Sequence, residues 1–142
     1  MKGNLFLIFA AAAGLALAGC NKAESPADVQ HDVADANAEA NRDVADARAD
    51  AQERTADAQH DVAEAQADND GEDTLDQTQQ ASETAATNEF KVAVARAEAT
   101  HKVASEKCEA MSGDQQADCK ERADADLEKA KRDAEMRRDG AG

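Results

Sequence analysis

His31-Asp32-Val33-Ala34-Asp35-Ala36 and Arg42-Asp43-Val44-Ala45-Asp46-Ala47 are near copies set eleven residues apart, and Glu53-Arg54-Thr55-Ala56-Asp57-Ala58 keeps the step. His60-Asp61-Val62-Ala63-Glu64-Ala65 follows after seven more. Eleven residues make three helical turns at ~3.67 residues per turn, so equivalent positions return to nearly one face. The repeat therefore predicts a long helix with two parallel stripes. One is small and apolar: Val29, Val33, Ala36, Ala40, Val44, Ala47, Ala51, Ala58, Val62 and Ala65, with Arg54 as its break. The other is acidic and runs from Asp28 through Asp32, Asp35, Glu39, Asp43, Asp46, Asp50, Glu53, Asp57, Asp61 and Glu64 to Asp68.

Upstream, Ser25-Pro26-Ala27-Asp28 carries the chemistry of a helix start. Ser25 can cap, Pro26 suits the first position where no N–H is needed, and Asp28 favours the positive end of the dipole. No Pro or Gly interrupts the chain until Gly71. Each i,i+3 or i,i+4 step along the acidic stripe is repulsive by roughly 0.2–0.5 kcal/mol at low salt, while alanine propensity favours the helix. The balance predicts a helix that is salt-sensitive and marginal when alone.

Further upstream, Met1-Lys2-Gly3-Asn4 precedes an apolar run from Leu5 to Ala16. That run is far short of the ~20 residues a helix needs to cross a bilayer. A positive start, a short apolar stretch and small residues have the layout of a secretory signal. Leu17-Ala18-Gly19-Cys20 then resembles the lipobox of bacterial lipoproteins. The resemblance implies cleavage between Gly19 and Cys20, removal of residues 1–19, and acyl chains on Cys20 that attach the chain to a membrane. Two or three acyl chains hold a small protein on a bilayer where one does not. By the same resemblance, Asn21 after Cys20 favours the outer membrane, with the protein facing the periplasm.

From Cys20 onward the chain carries all 31 acids and 15 of the 16 Lys/Arg, a formal charge of −16. Thirty of these residues are alanine, and the large apolar side chains are seven valines, Leu75, Leu127, Phe90, Met111 and Met136. Burial contributes ~25 cal/mol per Å² of apolar area, and alanine supplies little area. A core able to enclose an active site is not expected, and the chain reads as a non-enzyme without cofactor or metal. Basic patches, aromatic platforms, Gly-rich phosphate loops and Ser/His/Asp spacings are missing, so no nucleic-acid partner is expected. His31, His60 and His101 stand alone in the sequence.

Downstream of the repeat, Asp68-Asn69-Asp70-Gly71-Glu72-Asp73 and the Ser/Thr/Gln-rich residues after it carry turn signals and no apolar period. A calcium-loop alignment on Gly71 puts Gln66 and Gln77 where carboxylates are required, and the match fails. Residues 68–88 therefore read as a flexible, disordered linker. Beyond it, Phe90, Val94, Ala97, His101, Ala104, Cys108 and Met111 recur in steps of four and three, and Cys119, Ala123, Leu127, Ala130 and Ala134 do the same. Between these runs Gly113 suits a left-handed helix end and Asp114 a cap for the next helix. The result is a helical hairpin over residues 89–139. Cys108 and Cys119 lie nearly symmetrically about its turn. Two antiparallel helices would set their thiols opposite each other, and alanine-rich faces permit the ~4.4–6.8 Å Cα approach that a disulfide needs. In an unbroken helix the two would stand ~16 Å apart.

Lys102-Val103-Ala104-Ser105-Glu106-Lys107-Cys108-Glu109-Ala110-Met111-Ser112-Gly113, followed by Cys119, resembles a group of small exported proteobacterial proteins. That resemblance implies an exported, disulfide-bonded hairpin and supplies no catalytic residue. The eleven-residue repeat is similar to late-embryogenesis-abundant proteins, which implies a stress or hydration protectant. Resemblance to the murein lipoproteins is architectural.

Taken together, the fold class predicted is all-α: a long acidic alanine-rich helix (residues 20–67, with its lipid tether), a disordered linker (68–88) and a disulfide-linked hairpin (89–139). Charge divides the chain, −14 over residues 20–88 and −2 over 89–139. The expected arrangement is an acidic rod, ~60 Å if fully helical, that holds the hairpin away from the membrane. The expected role is a structural spacer or interaction protein of the cell envelope. Its partners would be the membrane through Cys20 and an envelope protein or a polycation. The other roles in view are the hydration protectant and a periplasmic protein that binds cations or polycations.

Overall fold

The computed structural model describes residues 22–68 and 70–140. Three helices account for nearly all of them: α1 Pro26–Ala67, α2 Gly71–Cys108 and α3 Asp114–Asp139. Among the described residues there is no strand, and the all-α reading holds. Gly19 and Cys20 lie outside the described residues.

Helix α1 starts as its sequence requires. Ser25 is the N-cap in extended conformation (φ −68°, ψ 147°), its Oγ accepts from the Asp28 amide at 3.3 Å, and Pro26 opens the first turn. Val29, Ala36, Ala40 and Ala65 are buried, and Val33, Val44, Ala47, Ala51, Ala58 and Val62 are half-buried on the same stripe. The predicted break at Arg54 does not exist. Arg54 points out to Asp50 (Nε to Oδ1 3.0 Å), and its neighbour Thr55 takes the seam position. A threonine fits because its hydroxyl donates to the Ala51 carbonyl at 2.7 Å, which satisfies it inside the helix.

The flexible linker expected over 68–88 is overturned. Asp70 caps α2 by accepting from the Glu72 and Asp73 amides at 3.0 and 3.1 Å, and helix runs from Gly71 without interruption to Cys108. The acidic residues that signalled a turn are cap chemistry, Asp70 outside the helix and Glu72 and Asp73 in its first turn. Apolar periodicity is weak here because the seam is met by Thr74, Gln77, Ala81, Thr84 and Ala85, all half-buried and none large.

Helix α2 is the middle of the molecule. Helices α1 and α3 each pack along it, and α1 and α3 do not pack on each other. Asn88 faces α1, whereas Phe90, His101 and Cys108 meet α3. Residues nine apart differ by half a turn. Asn88 and Ala97 therefore point to opposite sides of α2, and the three helices form a layer. Both neighbours run antiparallel to α2. Lys102 pairs with Glu39, and Asn88 reaches the Ala51 carbonyl, on one side. Glu98 pairs with Lys131 at 3.0 Å on the other.

That return of the chain corrects the expected arrangement of rod and hairpin. The Glu24 amide donates to the Glu109 carbonyl at 2.9 Å, so the α2–α3 turn sits beside the start of α1. Small faces make the return possible, because alanine seams let backbones approach closely and supply contact without bulk. Gly113 takes a positive φ of 58° immediately before α3, as its position in the turn requires. Asp114 does not cap α3; it lies in the first turn, where its charge favours the dipole. Met111, placed by periodicity on the hairpin face, lies in the turn and is 39% exposed, because the helix ends at Cys108.

Candidate functional site

The disulfide-bonded end gathers the most chemistry. Cys108 and Cys119 are joined, with Cα atoms 5.7 Å apart. Cys108, on the last residue of α2, is 1% exposed. The pairing read from the two positions is the one observed.

Beside the bond lies Gln116, also 1% exposed, on the first turn of α3. Its Nε2 donates to Glu109 Oε2 at 2.5 Å, while Oε1 has no hydrogen-bond partner. Glu109 also pairs with Lys120, whose ammonium this hydrogen bond raises above its usual value. Glu24 completes the group from the α1 side. Desolvation raises its carboxyl, and the charges of Asp32, Glu109, Glu106 and Asp28 add to the effect. The end of the layer is thus an acid cluster knit by Gln116, Lys120 and one backbone hydrogen bond. Sequence reasoning missed Gln116, Lys120 and Glu24. The place of Glu24 depends on the return of α1. Gln116 and Lys120 meet Glu109 across the α2–α3 turn, where the Cys108–Cys119 register sets Glu109 near Lys120 and could have shown them.

Midway along α2, His101 Nε2 lies 2.6 Å from Asp124 Oδ1 and 3.4 Å from Ser105 Oγ. The three residue types suggest a nucleophile relay, but the geometry does not make one. A relay needs the acid and the hydroxyl on opposite ring nitrogens, and here both approach Nε2. The contact is an interhelical tie, and it gives His101 a partner that spacing alone did not show.

Two open grooves flank α2 and adjoin on one face of the layer. One of about 560 Å³ lies against α1 and is lined by Ala51, Thr55, Ala56, Asn88, Val92 and Arg96 among others. The other, about 330 Å³, lies against α3 and includes Ala97, His101, Ala104, Ala123 and Leu127. Ala93, Arg96 and Arg137 border both. Both are surface furrows between helices with small seams.

Ten of the eleven acids of α1, all but Glu53, are segregated to one edge. Asp28, Asp32, Asp35, Glu39, Asp43, Asp46, Asp50, Asp57, Asp61 and Glu64 each immediately precede a seam residue. A step of one residue is 100° of turn, so they line one flank of the α1–α2 contact. The flank one residue after the seam holds Gln30, Asn37, Asn41, Gln52, Gln59 and Gln66 instead.

Among the described residues no group of three or more His, Cys, Asp or Glu is arranged to hold a metal ion. None of the described helices is long and apolar enough to cross a membrane. Comparison of the chain with protein-family models, with curated proteins and with solved structures returns no match.

Proposed function

We propose that this chain is a lipid-anchored protein of the bacterial cell envelope, held by Cys20 at the outer membrane and facing the periplasm. Its role in this reading is structural or that of an interaction partner, without catalysis. The observation that carries it is the closed Cys108–Cys119 bond in a chain that begins with an export-type segment ending Leu17-Ala18-Gly19-Cys20. Disulfides persist in oxidising compartments, and such a segment supplies the route to one. The layer of long helices supports the structural side, since its surface is extended, polar and furrowed.

Intact mass spectrometry of the protein from bacterial membranes tests the reading. The expected species starts at Cys20, carries acyl mass, and gains two alkylation tags only after reduction. Loss of membrane association in Cys20→Ala is the matching outcome in cells. An unlipidated mass with free thiols would sink it. The one-sided acidic edge of α1 favours a basic protein segment as the partner. Calorimetric heat with a polylysine peptide that persists at physiological salt is expected, and its absence removes that partner class.

A further inference from the structure

We propose that the disulfide-bonded turn Ala110–Gly113 is the membrane-facing end of the molecule, with Met111 in contact with the lipid surface, and that the α1–α2 corner is the outermost end. The inference rests on the lipid-anchor reading and adds an orientation and a contact surface to it.

Four residue steps separate Cys20 from Glu24, at most ~15 Å of extended chain. The Glu24 amide is bonded to the Glu109 carbonyl at 2.9 Å, and Met111 is two residues beyond Glu109. Acyl chains on Cys20 therefore enter the bilayer within that reach of the turn. The turn itself is Ala110-Met111-Ser112-Gly113, four residues without charge in a chain of −15. All four are exposed, and Met111 is one of the three exposed large apolar side chains among the described residues. An uncharged loop with one apolar side chain is suited to a zwitterionic headgroup surface. It adjoins the acid cluster of Glu24 and Glu109, which Lys120 partly offsets, whereas the acidic flank of α1 carries no such loop.

The opposite end is fixed by the same fold. Helix α1 is 42 residues long, ~60 Å at 1.5 Å per residue, and it carries the chain to the Asp68–Asp70 corner. Leu75, 73% exposed, stands at that corner in the early part of α2. The C-terminal helix α3 is shorter, 26 residues, and runs back only part of the way. The outermost portion is thus α1 and α2 alone.

The chain has no Trp and no Tyr, so a single introduced indole reports alone. Full-length M111W, S112W and L75W are purified in lipidated form and reconstituted in phosphatidylcholine vesicles that contain a headgroup-spin-labelled lipid. Expected is several-fold stronger quenching of the M111W and S112W indoles than of the L75W indole, with L75W close to its value in unlabelled vesicles. Lipidated protein that floats with the vesicles but shows unquenched M111W and S112W, or L75W quenched as strongly, overturns the orientation while the anchor stands. Protein without acyl mass that fails to float overturns the anchor and the orientation together.

Discussion

Asn88 is the residue on which the α1–α2 pairing turns. It is 4% exposed in a seam of alanines, and its Nδ2 donates to the Ala51 carbonyl at 3.1 Å and to Thr55 Oγ1 at 3.2 Å. A lone buried amide between helices specifies register, because any slip leaves it unpaired. Asn88→Ala should lower stability by about 1–2 kcal/mol, the usual range for a lost buried hydrogen bond with its packing. Urea unfolding of protein lacking residues 1–20 reads this directly, and an unchanged midpoint would remove Asn88 from that role. Asn88→Leu gains apolar area and loses the register signal, so its midpoint should hold or rise while the seam resonances broaden. Charge at this scale works in both directions. Lys102 holds the Glu39 carboxyl below its usual range, and Lys129 does the same for Asp133. Each contributes stability that is present above the ordinary carboxyl range and lost as pH falls through the lowered folded value. Glu24 has the opposite sign: its folded value is raised, so ionisation opposes folding at neutral pH and protonation relieves it. Glu24→Gln should therefore raise the melting temperature at pH 7, and the gain should fade in acid. A fall at pH 7 would show that the charge itself is needed.

At the scale of elements, the chain could be read where local chemistry decides the outcome and could not where pairing decides it. Ser25 and Pro26 announce α1 by themselves, the eleven-residue repeat gives its seam, and Cys108 and Cys119 mark a hairpin by their placement about Gly113. The first half of α2 gives no such sign. Thr74, Gln77, Ala81 and Thr84 form a seam only because α1 presents an equally small face to them. Glu24 likewise reaches Glu109 through tertiary geometry that spacing does not encode, whereas Glu109 and Lys120 repeat the eleven-residue separation of Cys108 and Cys119 and were legible from it. Amide exchange tests the corrected element: residues 74–88 should be protected to the level of the rest of α2, and free exchange there would restore a linker. The disulfide is the second device at this scale. The α2–α3 seam is built largely from Ala97, Ala104, Ala123, Leu127, Ala130 and Ala134, with Phe90 under Arg138 at 4.7 Å near its far end. Closing a loop with a sequence separation of 11 contributes about 3 kcal/mol in the chain-entropy model. Reduction should lower the melting temperature and release α3 first, leaving α1 and α2 paired. Circular dichroism with and without reductant follows it, and superimposable melts would make the bond dispensable.

For the whole molecule the dominant quantity is charge, −15 over the chain and concentrated on one flank of α1. The twelve acids from Asp28 to Asp68 make eleven repulsive steps, roughly 2–5 kcal/mol in aggregate at low salt. Against them stand seven Lys/Arg ion pairs among the described residues, two of them between helix bodies, Glu39–Lys102 and Glu98–Lys131. All lie on partly or fully exposed side chains, and each is worth at most ~1 kcal/mol. Added salt screens both sets, with a Debye length of ~10 Å at 0.1 M and ~3 Å at 1 M. Repulsion outweighs attraction in number, so screening should stabilise. The melting temperature should rise steadily from millimolar to molar NaCl. A flat or falling curve would mean that the ion pairs together outweigh the acidic flank, contrary to their count and exposure. Magnesium at matched ionic strength separates screening from binding. A rise equal to that in NaCl is screening alone. A larger rise means that the flank gathers cations at close range, which a basic partner would do more strongly by bringing several charges on one chain.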